Sequence, residues 1–267
     1  MRQEYRVSIV TPSFNQGAFL KQTIESVLAQ DYRNIEYIII DGGSTDESKD
    51  ILASYSDRLD YWVSEPDRGQ SHAIQKGFQK ATGNVFAWLN SDDLLAPHAV
   101  ATAISVLQVN PSIGLVYGDR LRIDCRGNVI GHLRLPSHIK SMFRCDQTIP
   151  QETAFFRRSV YERSGGINPA LTFSMDFDLW CKMNVLTCFL HVPEYLGSFR
   201  EHSGAKSVIF HDGLRGESFL AEHHQVFKEH FGIAPPGKFA KGMFRLKRKA
   251  RLWLDEFSWV KRNNRYE

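Results

Sequence analysis

Nowhere in this sequence do apolar residues run for the roughly 20 positions that a membrane-crossing helix needs. The opening MRQEYRVSIV lacks an apolar core followed by a small-residue cleavage site, so no secretory leader is expected. Cysteine is scarce. Cys125, Cys145, Cys181 and Cys188 follow no metal-ligand spacing and are too few for a disulfide scaffold, which points to reduced thiols, a cytoplasmic setting and no zinc site. Internal repeats and low-complexity tracts are absent too. What remains is an ordinary globular composition, 42% hydrophobic and 24% charged, long enough for one large domain or for one domain plus a C-terminal extension.

The formal net charge of +3 conceals an uneven distribution. Between residues 238 and 262, nine Lys and Arg face only Asp255 and Glu256, so a basic tail follows a mildly acidic body. In that tail Phe239, Met243, Leu246, Ala250, Trp253 and Phe257 recur at steps of four and three, one apolar helical face with cations around it. Residues 238–260 therefore suit peripheral contact with an anionic membrane surface, which would place the protein at the inner face of the membrane. A helix packed on the domain is the plainer reading. Nucleic acid is disfavoured as a partner, because the aromatics lie on the apolar face instead of alternating with the cations.

Over the first 120 residues, apolar runs at 7–10, 35–40, 61–63, 85–89 and 114–117 read as strands. Segments 17–30, 46–55, 70–81 and 97–109 have helical spacing, with Pro97 suited to a first helical turn. Such alternation predicts an α/β fold, a mostly parallel central sheet with helices on both faces. After residue 120 the pattern changes to a hairpin turning at Arg126-Gly127-Asn128, a strand at IPQETAFF, helices at SVYERSGG and SMDFDLWCKM, and extended chain at FLHVPEYLGSFREHSG. The expected division is a catalytic domain over 1–210, split into a nucleotide-sugar-binding half (1–120) and an acceptor-side half (121–210), then a helical extension over 211–267.

Parallel sheets gather ligands at the carboxyl ends of their strands. There the sequence places Thr11-Pro12-Ser13-Phe14-Asn15, Asp41-Gly42-Gly43-Ser44, Ser64-Glu65-Pro66-Asp67 and Asn90-Ser91-Asp92-Asp93, which should converge on one polar, largely acidic rim. Adjacent carboxylates ending an apolar strand either cap the next segment or hold a cation. Ser44 and Glu47 have capping-box spacing, whereas Asp41 is free to accept a ring N–H of a pyrimidine base, with small neighbours admitting the base. Asp67, Arg68, Gly69 and Gln70 precede a helix, and both a helix N-terminus and an arginine suit phosphate.

VSIVTPSFNQ, IIIDGGSTDES, EPDRGQSHAIQKGF, AWLNSDDLL and SMDFDLW occur in the order and spacing of the family 2 glycosyltransferases, which this sequence resembles over residues 5 to 205. The resemblance implies the A-type glycosyltransferase fold, a nucleotide-sugar donor with a metal-bound diphosphate, and transfer with inversion. It implies Pro12 and Asp41 as base contacts, Asp67 and Arg68 as a second nucleotide-side loop, Asp92 as the metal-binding acid and Asp176 as the catalytic base. His202 matches a histidine that touches metal or diphosphate in relatives. Asn90 departs from the first acid of the family's Asp-x-Asp pattern, His72 stands where an acid is common, and Met175 replaces the acid that often precedes the base.

A sugar hydroxyl is a poor nucleophile at neutral pH, so displacement benefits from one general base, and a nucleoside diphosphate leaves without a second acid. Asp176, at a helix start where a carboxylate stays ionised, fits better than Asp178, which an i,i+4 pair with Lys182 explains. Trp180 and Met183 read as core, and Gln151 and Glu152 could approach an acceptor. The expected activity is an inverting glycosyltransferase using Mn or Mg and a UDP-sugar to extend a cell-surface polysaccharide or lipid-linked glycan. A nucleotidyltransferase would need a basic triphosphate loop after the first strand, and TPSFNQGAF has none. A degenerate nucleotide-sugar-binding scaffold is the non-enzymatic alternative.

Overall fold

In the computed structural model the described residues are 5–140, 149–205, 213–236 and 250–252. Four parallel strands form one half of a single sheet: β1 (Val7–Ser13), β2 (Ile35–Asp41), β3 (Tyr61–Ser64) and β4 (Val85–Trp88). Helices α1 (Gly17–Leu28), α2 (Ser48–Ser54) and α3 (Gln70–Lys80) connect them. Next come β5 (Leu94–Leu95), α4 (Ala99–Val109), β6 (Ile113–Ile123), β7 (Val129–Leu133), β8 (Phe155–Arg157), α5 (Arg158–Arg163), α6 (Met175–Leu186), β9 (Cys188–Arg200) and α7 (Gly213–Phe231). The strand order is β3-β2-β1-β4-β8-β6-β9-β5, with β7 paired to β6. Strand β8 runs antiparallel to both β4 and β6, so it joins the two halves. Since β6 runs straight through residue 120, the segments on either side of that position share one sheet.

Burial on both faces explains the unbroken apolar runs. Along β2, Ile38 and Ile40 pack with Phe78, Trp88 and Trp180 on one face, while Tyr37 and Ile39 pack with Leu20 and Ile24 on the other. Helix α3 lies close enough to β1 that a Cβ on Gly77 would sit 2.3 Å from Val10 Cγ1, so only glycine fits there.

Several local expectations are corrected. No capping box forms at Ser44 and Glu47: α2 starts at Ser48, and the Ser44 hydroxyl donates to Asp41 instead. Pro97 precedes the helix, which begins at Ala99 after a left-handed His98 (φ 65°). IPQETAFF is a 3₁₀ turn over Gln151–Thr153 followed by the three-residue β8. The apolar face expected at 239–257 lies outside the described residues, apart from helical residues 250–252. No helix among the described residues is long and apolar enough to cross a membrane.

Candidate active site

The carboxyl ends of β1, β2 and β4 open onto a cavity of about 870 Å³, which continues to α6 and α7. Pro12, Gly42, Asp67, Gly69, Asn90 and Ser91 line its sheet end, so the strand-end clusters do converge. The Asp67 carboxylate accepts the Gly69 N–H at 2.6 Å, and Gln70 donates to Asn90 Oδ1 at 2.7 Å.

The two adjacent carboxylates both border the cavity but differ in burial. Asp93 is buried, accepting the Arg200 N–H at 2.9 Å and the Asn90 amide at 3.3 Å. Burial pushes its pKa well up, with the charges of Asp92 and Glu152 adding to the effect. Asp92 lines the cavity, and His202 Nε2 lies 3.0 Å from its Oδ2. What holds both is Arg200, which the sequence reading did not single out. It is fully buried, donates through Nε to Asp92 O (2.7 Å) and through its terminal nitrogens to Asp124 O and Gln22 Oε1, and stacks over Phe19. An arginine buried this way satisfies several carbonyls at once and locks the β4–β5 loop to β9.

Asp41 and Ser44 are fully buried rather than open to the rim. Asp41 accepts the Gly43 and Ser44 N–H groups and the Ser44 and Ser64 hydroxyls, so it ties the loop after β2 together. Arg68 is exposed and lies outside the cavity lining, where the only Lys or Arg among the described residues is Arg120 on β6. Arg120 lies 3.6 Å from Glu152 and stacks over Phe199.

Asp176 stands in the first turn of α6 and lines the far end of the cavity. Its Oδ1 accepts the Phe177 N–H at 2.7 Å. Burial nevertheless pushes its pKa up to about 6, with the charge of Glu152 adding, while that N–H and Arg120 pull the other way. Desolvation thus outweighs the helix-start effect that was expected to keep it ionised. Asp178 bonds Lys182 at 2.6 Å, as the spacing predicts, and also His230 of α7 at 2.7 Å, and these partners hold its pKa down against burial. Met183 is core; Trp180 is buried against Trp88 and also lines the cavity.

Helix α7 secures this end. Glu222 accepts the N–H groups of Thr172 (2.9 Å), Phe173 (2.7 Å) and Ser174 (2.7 Å), the segment leading into Asp176. Phe177 stacks on Phe227, and Phe219 and His223 complete an aromatic wall. Glu222 carried no local sequence signal, because its partners lie about 50 residues away.

A divalent ion could draw on Asp92 and His202. Their 3.0 Å separation is about the edge of an octahedron with bonds near 2.1 Å. No third His, Cys, Asp or Glu joins them among the described residues. Such a sparse set fits an ion completed by phosphate and water.

The family model for glycosyl transferase family 2 matches residues 8–164, more than half of the chain. The chain belongs to glycosyl transferase family 2. An uncharacterized glycosyltransferase of Mycobacterium tuberculosis is 32% identical over 84% of this chain and 96% of its own length. One from Rickettsia conorii is 28% identical over 81% of this chain, which spans only 38% of that relative. Among solved structures, mannosyltransferase PcManGT from Pyrobaculum calidifontis, in complex with GDP-Man and Mn2+, superposes with a TM-score of 0.67 at 21% identity, over 88% of this chain and 67% of its own. S. aureus TarS 1-349, in complex with UDP-GlcNAc, does so with a TM-score of 0.65 at 13% identity, over 86% and 73%. These likenesses identify the A-type glycosyltransferase fold. Asp176, Glu222 and His202 of this family 2 chain lie beyond the matched span.

Proposed function

We propose that this family 2 chain is an inverting glycosyltransferase that moves a sugar from a nucleoside-diphosphate sugar, a UDP-sugar in the first instance, to a hydroxyl of a glycan or lipid-linked acceptor. The observation that carries this reading is Asp176, a carboxyl with its pKa pushed up to about 6, in the same cavity as Asp92. A base is most effective when its pKa lies near the working pH. Asp176 takes the acceptor hydroxyl proton as that oxygen bonds to the anomeric carbon. The bond from that carbon to the diphosphate breaks, and its electron pair stays on the phosphate oxygen. A divalent ion held by Asp92 and His202 would neutralise that leaving group. Pro12, Asp67 and Gly69 are assigned to the nucleotide, with Asn90 and Ser91 at the diphosphate and sugar. Asp41 and Ser44 act on the nucleotide by fixing the loop after β2. The aromatic wall of Phe177, Phe219 and Phe227 suits the apolar face of an acceptor sugar. The basic segment 238–260 suits an acceptor carried at a membrane surface.

Calorimetric titration of UDP and of GDP, with Mn2+, with EDTA and with Asp92→Ala, tests the donor end. Metal-dependent binding that Asp92→Ala abolishes is expected. Binding indifferent to EDTA would remove the ion from the mechanism, and no nucleotide binding at all would overturn the reading.

A further inference from the structure

Six buried side-chain atoms without a hydrogen-bond partner belong to residues lining this one cavity: Ser13 Oγ, Arg120 Nε, Gln151 Oε1, Glu152 Oε1, Ser174 Oγ and Trp180 Nε1. A buried polar atom left without a partner is costly, so a cluster of them is expected only where something else completes it. Gln151, Glu152, Ser174 and Trp180 are at most 8% exposed. Their mobility is also restricted: the Gln151 amide donates to Trp88 O, Glu152 faces Arg120 at 3.6 Å, and Trp180 stacks on Trp88. These are rigid groups with unused hydrogen-bonding capacity.

We propose that Gln151, Glu152, Ser174 and Trp180 form a subsite that reads the hydroxyl groups of the transferred sugar, and that this sugar is a neutral pyranose rather than a hexuronate. The inference rests on the glycosyltransferase reading above and deepens it. The chemistry is complementary: Gln151 Oε1 and Glu152 Oε1 accept, Trp180 Nε1 donates, and Ser174 Oγ does either, which suits hydroxyls that both donate and accept. The position follows from the reaction. The anomeric carbon must lie between the leaving diphosphate at Asp92 and the base Asp176. Glu152 lines the same cavity as Asp92 and Asp176, next to Gln151, and lies 3.6 Å from Arg120. The neutral class follows from charge: the lining holds Asp67, Asp92, Asp93, Glu152 and Asp176 against Arg120, the one Lys or Arg among the described lining residues. A carboxylate on the sugar would add a further acid there.

The test compares bare and sugar-bearing nucleotides by calorimetry, using UDP, UDP-glucose, UDP-N-acetylglucosamine, UDP-glucuronate, GDP and GDP-mannose. The wild type, Glu152→Gln and Ser174→Ala are each measured, and the bare nucleotide serves as the reference for an intact donor site. Against that reference, Glu152→Gln should weaken at least one neutral sugar nucleotide by about tenfold, and Ser174→Ala by a smaller factor. In the wild type, UDP-glucuronate should bind more weakly than the preferred neutral sugar nucleotide. If the ratio to the bare nucleotide is unchanged for every sugar, or bare nucleotide weakens in parallel, Glu152 does not read the sugar. Equal or tighter binding of UDP-glucuronate would overturn the neutral class. Failure of all nucleotides to bind the wild type would remove the donor site itself, and the subsite with it.

Discussion

Replacing Asp176 with Asn should abolish transfer and make the protein more stable. The carboxyl is lifted from an ordinary 3.8 to about 6, chiefly by burial. A shift of about two units corresponds to roughly 3 kcal/mol by which the folded state disfavours the ionised form. The sign follows from the upward direction. Below about pH 3.8 the group is protonated whether folded or unfolded, and its burial carries no ionisation penalty. As pH rises towards 6 the unfolded chain gives up its proton first, so wild-type stability falls, and above that the penalty is constant. Asparagine keeps the shape, and its Oδ1 can still accept the Phe177 N–H, but it never ionises. Urea unfolding of both proteins from pH 4 to pH 8 should therefore show the variant gaining little at pH 4 and about 2–3 kcal/mol at pH 7–8. Because Glu152 and Arg120 face the same group and are common to both proteins, the difference between the curves isolates Asp176. A difference that is near zero, or constant with pH, would refute a desolvated base. Loss of stability in the variant at pH 8 would mean that the charged form is the one the fold favours.

Removing the clamp on the approach to Asp176 with Glu222→Ala leaves three backbone N–H groups without their carboxylate, and should cost about 2–3 kcal/mol in urea unfolding. Amide exchange at Phe173 and Ser174 should accelerate in the same variant, and a cost under about 0.5 kcal/mol would show that water replaces the carboxylate. Gly77→Ala improves helix propensity by about 1 kcal/mol, yet its Cβ would meet Val10 Cγ1 at 2.3 Å, so a net loss of about 1–2 kcal/mol is expected. A stabilised variant in thermal unfolding would show that α3 shifts freely.

The sequence by itself determined the elements of the first 120 residues and the strand ends that meet. Apolar runs bounded by polar clusters identify parallel strands, because a strand buried on both faces must be continuously apolar while its end must meet water or ligand. The i,i+4 pairing of Asp178 with Lys182 was legible for the same reason: helix periodicity is local. Only the tertiary structure decided matters that depend on residues far apart in the chain. It buried Asp93 and left Asp92 partly exposed, although the two are neighbours and both border the cavity, because Arg200 reaches the loop from β9. It withdrew Asp41 and Ser44 from the rim into their own loop, and it put Arg120 rather than Arg68 on the cavity wall. It also reversed the expectation for Asp176. A helix start favours a carboxylate by a local field, but how much water is lost around that carboxylate depends on every element packed nearby. That desolvation has no signature in the residues next to it, and here it is the larger effect.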